Sequence, residues 1–258
     1  MYMLLSLFKK IRVFLISSLK RILSNSIVAV FFLYLLHTLS GINVFWDTYK
    51  NIETSFLQKK AVDHLDKMYV GTSIRYVESI FGIPVKEISS EKRNLKASIY
   101  VFENFYLQVI YDQDGTVILY SVTSRSTGFK PQIPYLNTRL GNKTFFEYGP
   151  SEFMYSALSS KFYEYAEHHY LGFPSEYRNI YLSFQPTGVE YKKIDSFSEI
   201  GYCLDECSEK SIENFRKKNI PNTFAVGSIF SERDEEALEQ FGLGADFYEA
   251  LSLPHLVE

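Results

Sequence analysis

A long uncharged and mostly apolar stretch lies near the N-terminus, from Ser26 to Trp46. A helix of this length, rising about 1.5 Å per residue, spans the roughly 30 Å hydrocarbon core of a membrane. Trp46 closes the stretch at a position typical of interfacial aromatic residues. The pattern predicts an uncleaved transmembrane helix. A cleaved signal peptide and a buried helix of a soluble protein are the alternatives, although no Ala-x-Ala cleavage site follows the apolar run.

The residues before this stretch are basic. Residues 1–46 contain no acid and five cations, which are Lys9, Lys10, Arg12, Lys20 and Arg21. Because an excess of Lys and Arg marks the cytoplasmic side of a span, the N-terminus is predicted to be cytoplasmic and the body extracytoplasmic. Residues 1–25 read as a basic amphipathic helix that can lie on anionic lipid. The prediction is a single-pass bacterial inner-membrane protein that contacts membrane lipid through residues 1–46.

Helical spacing continues over residues 48–68 and again over residues 74–81. Thr72 or Ser73 can cap the second helix, and Gly82 and Pro84 can end it. The apolar period then changes to two over residues 97–102, 105–111 and 116–123, and the last two segments are joined by an Asp-Gly turn. The pattern predicts two helices followed by a three-stranded antiparallel meander.

These residues resemble a known family. Gly-Thr-Ser at 71–73, Phe-Gly-Ile-Pro at 81–84 and the Tyr-rich strand pair with its Asp-Gly turn are similar to the small lipoprotein of the outer-membrane assembly machinery. That family shares a helix–helix–sheet fold with the protein inhibitors of β-lactamase. The resemblance covers residues 69–123 and lacks the lipoprotein's anchoring Cys. The whole chain also looks like an uncharacterised family of bacterial single-pass inner-membrane proteins.

The second half carries a weaker version of the same pattern. Residues 175–185 and 189–194 read as strands around Gly188, which follows Gly115 at a similar place between an aromatic and a valine-led segment. A degenerate repeat, with a helix over residues 151–159, is one interpretation, and an unrelated α+β second half is the other. Helices are also predicted over residues 208–217, 231–241 and 246–251.

The predicted fold class is therefore α+β. Its parts are a basic segment (1–25), a transmembrane helix (26–46), an α+β domain (47–130), a second α+β unit (131–200) and a helical C-terminal segment (201–258).

Composition narrows the function. The chain has 258 residues, of which 46% are hydrophobic and 22% charged, with 22 Phe and 20 Tyr, and this excludes a disordered chain. All 30 acids follow residue 46, together with the remaining Lys and Arg. Nucleic-acid binding by this mildly acidic body is not expected, because phosphate recognition needs clustered cations.

Cys203 and Cys207 are the only cysteines. In an extracytoplasmic domain they can form a disulfide that closes a short loop, provided that the segment is a turn. Free structural thiols are the main alternative, whereas metal binding or redox chemistry lacks nearby companion ligands and the usual spacing.

One acid–histidine cluster occurs, at Glu164, Glu167, His168 and His169. On a helix Glu164 and His168 would form a zinc pair, whereas on a strand Glu167 and His169 share a face and His168 points away. A polar edge strand or a solvated helix face is the structural alternative. Asp234 reads as part of a helix cap, and no phosphate-binding loop or nucleophile elbow occurs, so no cofactor is expected.

The predicted function is a noncatalytic protein-interaction module with an envelope protein as partner. The candidate contact residues are Gly82, Ile83, Pro84, Tyr100, Phe105 and Tyr106, because Tyr and Phe are enriched in binding surfaces. A metal-dependent envelope hydrolase and, with reversed topology, a membrane-bound cytoplasmic effector are the alternatives.

Overall fold

The computed structural model describes residues 60–90, 92–158, 163–172, 178–189, 191, 208–228 and 231–245. All of them belong to one compact unit, Gln58–Glu258. The predicted segments 1–25 and 26–46, both cysteines and the predicted helix at 246–251 lie outside the described residues.

A large antiparallel sheet organises this part of the chain. Ten strands are described: β1 (Lys86–Ser90), β2 (Leu95–Val101), β3 (Phe105–Asp112), β4 (Val117–Ser124), β5 (Gln132–Ile133), β6 (Thr138–Arg139), β7 (Glu152–Leu158), β8 (Tyr163–Leu171), β9 (Arg178–Phe184) and β10 (Thr223–Val226). Eight of them form one sheet in the order β1-β2-β3-β4-β10-β9-β8-β7, while β5 and β6 form a separate hairpin.

The sheet consists of two four-stranded meanders that meet through their last strands. β1–β4 form the first meander, and β7, β8, β9 and β10 form the second. β10 pairs with β4 on one side and with β9 on the other, with Thr223 opposite both Thr123 and Ser183. A hydrogen bond of 2.9 Å joins the hydroxyls of Thr223 and Thr123 across the junction. The strand that joins the two meanders, β10, therefore lies about a hundred residues after its neighbour β4 in the chain.

Three helices accompany the sheet among the described residues, α1 (Ile74–Phe81), α2 (Glu209–Lys218) and α3 (Ser231–Phe241), together with helical residues 60–65 and a 3-10 turn at Phe145–Tyr148. The larger core lies on one sheet face, where Phe81, Phe145 and Phe215 bring in α1, the 3-10 turn and α2. Ala237 and Leu238 of α3 pack on the other face. Since both faces are covered, the central strands read as nearly continuous buried runs.

The helix α1 illustrates how local chemistry sets the boundaries. The Ser73 side chain accepts a hydrogen bond from the Arg75 N–H at the N-terminus. Gly82 follows the last turn with φ of 85°, a conformation that L side chains rarely adopt. The predicted helix over residues 74–81 is thus confirmed, including its caps.

The predicted α+β fold class is nevertheless wrong. The described chain is dominated by an eight-stranded antiparallel sheet, and residues 69–123 are not a helix–helix–three-stranded unit. β1 precedes the three predicted strands and pairs with β2, and β4 pairs onward with β10. The sequence pattern missed β1 because Ile88 is its one apolar residue, and it missed β10 because that strand is only four residues long.

The second half differs most from the prediction. The helix predicted at 151–159 is strand β7. Of the strand predicted at 189–194, Val189 lies in a turn, and residues 190 and 192–194 lie outside the described residues. β9 instead pairs with β8 and β10. The helices predicted at 208–217 and 231–241 are confirmed as α2 and α3, but the C-terminal segment also supplies a central strand of the sheet, β10. The duplicated helix–helix–sheet unit is therefore not retained.

The single-pass membrane assignment is also corrected. The helices α1, α2 and α3 contain 8, 10 and 11 residues, whereas a membrane span needs about 20 apolar residues. Within the described part of the chain, no helix combines the length and apolar character that crossing a membrane requires. The predicted span at Ser26–Trp46 lies outside that part. The structure therefore does not support the predicted inner-membrane location with a periplasmic body.

Candidate functional site

Strand β8 distributes the predicted acid–histidine cluster over both faces of the sheet. Tyr163 and Tyr165 belong to the larger core, so Glu167 and His169 share that face with them. Glu164 and His168 lie on the opposite face, beside Ala166 in sequence, which packs in the α3 core. The expectation for a strand is confirmed: Glu167 and His169 lie together and His168 points away. Four side chains that are adjacent in sequence therefore cannot form one site.

Glu167 lies at the centre of a buried polar cluster, which we call the Glu167 cluster and define as Tyr165, Glu167, His169 and Arg216. Glu167 has no exposed surface. Its Oε2 accepts hydrogen bonds of 2.9 Å from the Tyr165 hydroxyl and from Arg216 Nε. Its Oε1 lies 2.8 Å from His169 Nε2. Both carboxylate oxygens are thus engaged within the protein.

Arg216 ties this cluster to the surrounding elements. From α2, its Nη2 donates to the main-chain carbonyls of Phe145, at 3.1 Å, and of Gly149. The guanidinium therefore bridges α2, the 3-10 turn and β8. Burial, followed by the nearby charge of Glu167, raises the pKa of Tyr165, which keeps its hydroxyl protonated as a donor.

The Glu167 cluster is poorly suited to hold a metal. Arg216 places a permanent positive charge beside Glu167, where a bound cation would be repelled. Among the described residues no group of three or more His, Cys, Asp or Glu side chains is arranged to hold a metal ion. The arrangement is suited to a structural role instead. A buried carboxylate with an ion-pair partner and several hydrogen-bond donors fixes the positions of the elements that supply those partners.

A second buried carboxylate lies on the other face, at Asp234 of α3. Its Oδ2 accepts from Asn179 Nδ2 at 2.9 Å and from the Tyr181 hydroxyl at 3.2 Å, and its Oδ1 accepts from the Ser228 N–H at 2.9 Å. These three donors are uncharged. Burial raises the pKa of Asp234, although the hydrogen bonds act in the opposite direction. The sequence interpretation of Asp234 as part of a helix cap missed this role, in which it docks α3 onto β9.

His168 extends the Asp234 network toward the surface. Its Nε2 lies 2.9 Å from Asn179 Oδ1, and its ring stacks on Tyr181 with centroids 5.0 Å apart. Its Nδ1 is 3.6 Å from a carboxylate oxygen of the exposed Glu152. Asn179 therefore connects His168 to Asp234. Sequence alone offered no signal for this network, since its members come from three separated segments.

The predicted aromatic contact residues are buried. Tyr100 is 1% exposed, Phe105 is fully buried, and Tyr106 is 8% exposed beneath the Arg125 guanidinium, which lies 4.6 Å from its ring centroid. The physical reason is that both sheet faces are covered, so that an aromatic strand residue points into a core in either direction. These three side chains offer a partner almost no surface.

The loop predicted to contact a partner is exposed at Gly82 and Ile83 and partly exposed at Pro84. The side chain of Ile83 is 91% exposed, the highest value among the large hydrophobic residues described. Two further apolar side chains that are near Ile83 in sequence, Tyr76 of α1 at 40% and Val85 at 45%, are also exposed. We call these three residues the Ile83 surface.

Comparisons with known proteins find only distant structural similarity. No protein-family model matches the chain, and no curated protein matches its sequence. Two solved structures show distant similarity: a cysteine-rich secretory protein from Staphylococcus aureus subsp. aureus Mu50 (TM-score 0.34, 13% identity, 68% of this chain and 48% of that one) and an extracellular protein containing an SCP domain from Bacillus anthracis str. Ames (TM-score 0.35, 12% identity, 67% and 46%). The matched region thus covers less than half the length of each of these two solved proteins. TM-scores this low do not establish a shared fold. The resemblance of residues 69–123 to the lipoprotein and inhibitor families stays a prediction.

Proposed function

We propose that this protein is a noncatalytic interaction module that binds a protein partner through the Ile83 surface. The observation that carries the proposal is the 91% exposure of Ile83 on a short, firmly held loop. A single exposed apolar residue is ordinary on a protein surface. An exposed Ile that the backbone holds in place, with two further apolar side chains near it in sequence, is better suited to anchor a partner.

The backbone on both sides of Ile83 is hydrogen-bonded. The Gly82 N–H donates to the Glu78 carbonyl at 2.9 Å, and the Val85 N–H donates to the Ile99 carbonyl at 2.8 Å. Pro84 restricts the remaining peptide because its ring fixes φ. Binding would therefore cost little loop entropy, and burial of an Ile side chain contributes about 1.5–3 kcal/mol. Because one Ile side chain supplies this gain, we expect a partner that offers a narrow apolar pocket.

The polar groups support a noncatalytic role. Glu167 and Asp234 are both fully buried, and their oxygens are engaged by Arg216, His169 and tyrosine or asparagine donors. A general acid or base must reach a substrate. Neither carboxylate meets that requirement in this arrangement, so both are better explained as groups that fix the elements around the sheet.

The test is site-specific photo-crosslinking in cells that produce the full chain. A photoreactive residue at position 83 is expected to give one dominant protein adduct, while the same group at position 170 is not. Tyr170 is a matched control because it is 61% exposed and lies on β8, near the other edge of the sheet.

The protein identified in the adduct, once purified, should bind the wild-type chain. Its affinity for Ile83→Ser should be lower by roughly tenfold or more if the Ile83 side chain is fully buried in the complex. Tyr170→Ser should bind like wild type. Equal binding by Ile83→Ser and wild type, or no adduct at position 83, would contradict the proposal.

A further inference from the structure

A cavity of about 220 Å³ lies apart from the Ile83 surface and from both buried carboxylates. It opens between the chain after helical residues 60–65 and the β5–β6 hairpin, above strands β4 and β10. Four aromatic rings and two polar side chains dominate its lining, namely Tyr69, Tyr120, Tyr135, Phe224, Asp66 and Gln132. We call it the tyrosine cavity.

The rings form a floor and two exposed walls. Tyr120 and Phe224 are 1% and 2% exposed, and the Tyr120 hydroxyl donates to the Met68 carbonyl at 3.3 Å, which fixes the floor. Tyr69 and Tyr135 are 57% and 41% exposed. Two large aromatic side chains are thus left in solvent at one small opening, where each has surface available to a ligand.

The backbone of Tyr135 adopts an uncommon conformation, with φ of 62°. Positive φ is unfavourable for a bulky residue and persists only where the surroundings enforce it. Here the hairpin does so: Gln132 Nε2 donates to the Leu136 carbonyl at 2.7 Å, and the Leu136 N–H donates to the Ile133 carbonyl at 3.2 Å. The strained hairpin therefore positions an exposed tyrosine at the cavity, and such strain is concentrated at ligand-binding sites.

The charges at the cavity are opposite in sign. Asp66 supplies the carboxylate of the described lining, and the Arg178 guanidinium, which lies outside that lining, is 5.8 Å from the Tyr135 ring centroid. Both act on the floor: burial raises the pKa of Tyr120, Arg178 lowers it and Asp66 raises it. The positive charge beside Tyr135 therefore offsets part of the attraction that Asp66 would exert on a cation.

We propose that the tyrosine cavity binds one ring of a neutral saccharide. A sugar ring carries apolar C–H faces, which can stack on the exposed Tyr69 and Tyr135 rings. Its edge carries hydroxyls, which can donate to the Asp66 carboxylate and pair with the Gln132 amide. The volume is below the roughly 300–1,000 Å³ of pockets for drug-sized ligands, which favours a single ring.

The test is saturation-transfer NMR on the full chain with methyl glycosides of glucose, mannose, galactose and N-acetylglucosamine as probes. At least one glycoside is expected to receive saturation, strongest at the ring protons of its C–H face. Tyr69→Ala and Tyr135→Gly should each weaken binding about fivefold to tenfold, because each removes one stacking partner. Tyr135→Gly also relieves the positive φ, so that its fold is retained.

Tyr170→Ala, an exposed tyrosine elsewhere on the sheet, should bind like wild type. Absence of saturation transfer to every glycoside would overturn the proposal. So would transfer that survives both tyrosine substitutions, or binding of tetramethylammonium in place of the glycosides, which would assign the cavity to a cation. Ile83→Ser should leave glycoside binding unchanged, which separates this site from the protein-interaction surface.

Discussion

At the scale of single residues, the protein stabilises two buried carboxylates in different ways. Glu167 has a permanent cation, Arg216, as a hydrogen-bonded partner. Asp234 accepts only from uncharged donors, and burial raises its pKa. The two sites should therefore respond differently to substitution.

Arg216→Ala is expected to destabilise the fold by about 3–5 kcal/mol, because it leaves Glu167 buried without its countercharge. Urea unfolding of the variant and wild type measures the loss. Lys217→Ala is the matched control on the same helix, since Lys217 pairs with Glu213 at the surface and should change stability little. Equal losses for the two variants would show that the Glu167 cluster does not hold α2 in place.

The raised pKa of Asp234 predicts a specific pH dependence of the free energy of unfolding. Its folded-state pKa is above the unfolded value of 3.8, so the unfolded chain loses its proton first as pH rises. The contribution of Asp234 is therefore fully present below that value and is lost as pH rises through the folded-state pKa. Relative to Asp234→Asn, which does not titrate, wild type should lose unfolding free energy as pH increases, as measured by urea unfolding from about pH 3 to pH 7.

Asp112 provides a control of opposite sign. Burial raises its pKa, but hydrogen bonds from Thr116 and Arg233 outweigh burial and hold it below 3.8. Wild type should gain stability relative to Asp112→Asn as pH rises through this lower range, and lose it as pH falls through the folded-state pKa. Parallel pH profiles for the two variants would contradict both assignments.

Only part of this residue-scale picture is accessible from sequence. The period of two in β8 is enough to place Glu167 and His169 on one face and His168 on the other. Arg216 lies 49 residues from Glu167, and Asp234 lies 55 residues from Asn179. These partners are set by the pairing of distant strands and by helix docking, which local patterns do not encode.

At the scale of elements, the connection between β10 and α3 depends on a close backbone approach at Gly227. A Cβ atom there would lie 2.1 Å from Asp234 Oδ2 and 3.0 Å from a ring carbon of Tyr181. The Gly227 N–H also donates to the Asn179 carbonyl at 2.8 Å, which continues the pairing with β9. A side chain would therefore push α3 away from the sheet.

Gly227→Ala is expected to lower the free energy of unfolding by about 1–3 kcal/mol through overpacking. Gly172→Ala is the control, because a Cβ there meets no atom within 4 Å and its φ is not in the left-handed region. That variant should be neutral or slightly stabilising, by up to about 1 kcal/mol. Thermal or urea unfolding of both variants checks the prediction, which fails if Gly227→Ala is no less stable than Gly172→Ala.

Elements with strong local signals were predictable, and elements defined by their partners were not. Ser73 and Gly82 mark the ends of α1, and the Asp-Gly turn joins β3 to β4, where Asp112 Oδ1 also accepts from the Thr116 N–H at 2.9 Å. β10, by contrast, is a four-residue strand between two helices, and its sequence resembles any short apolar connection. Its identity comes from the vacant edges of β4 and β9 that it fills.

At the scale of the whole molecule, β10 makes one sheet of two meanders. Without it, β4 and β9 would both present unpaired edges, which are prone to wrong pairing. The predicted fold of a helix–helix–three-stranded unit failed at this point, because each meander read alone looks like a separate local unit. The junction is a contact between segments about a hundred residues apart, and no periodicity within either segment encodes it.

A joined sheet predicts that both meanders open together. In native-state hydrogen exchange, main-chain amides of β3 and β4 should share the highest protection with those of β9 and β10, because all four strands are paired on both sides. Amides of the edge strand β1 and of the β5–β6 hairpin should exchange faster and serve as the internal comparison. The two central pairs should also lose protection in parallel as urea is added, with equal denaturant dependence. If β9 and β10 exchanged through a separate, lower-energy opening while β3 and β4 stayed protected, the meanders would be independent folding units that only touch at the β4–β10 junction.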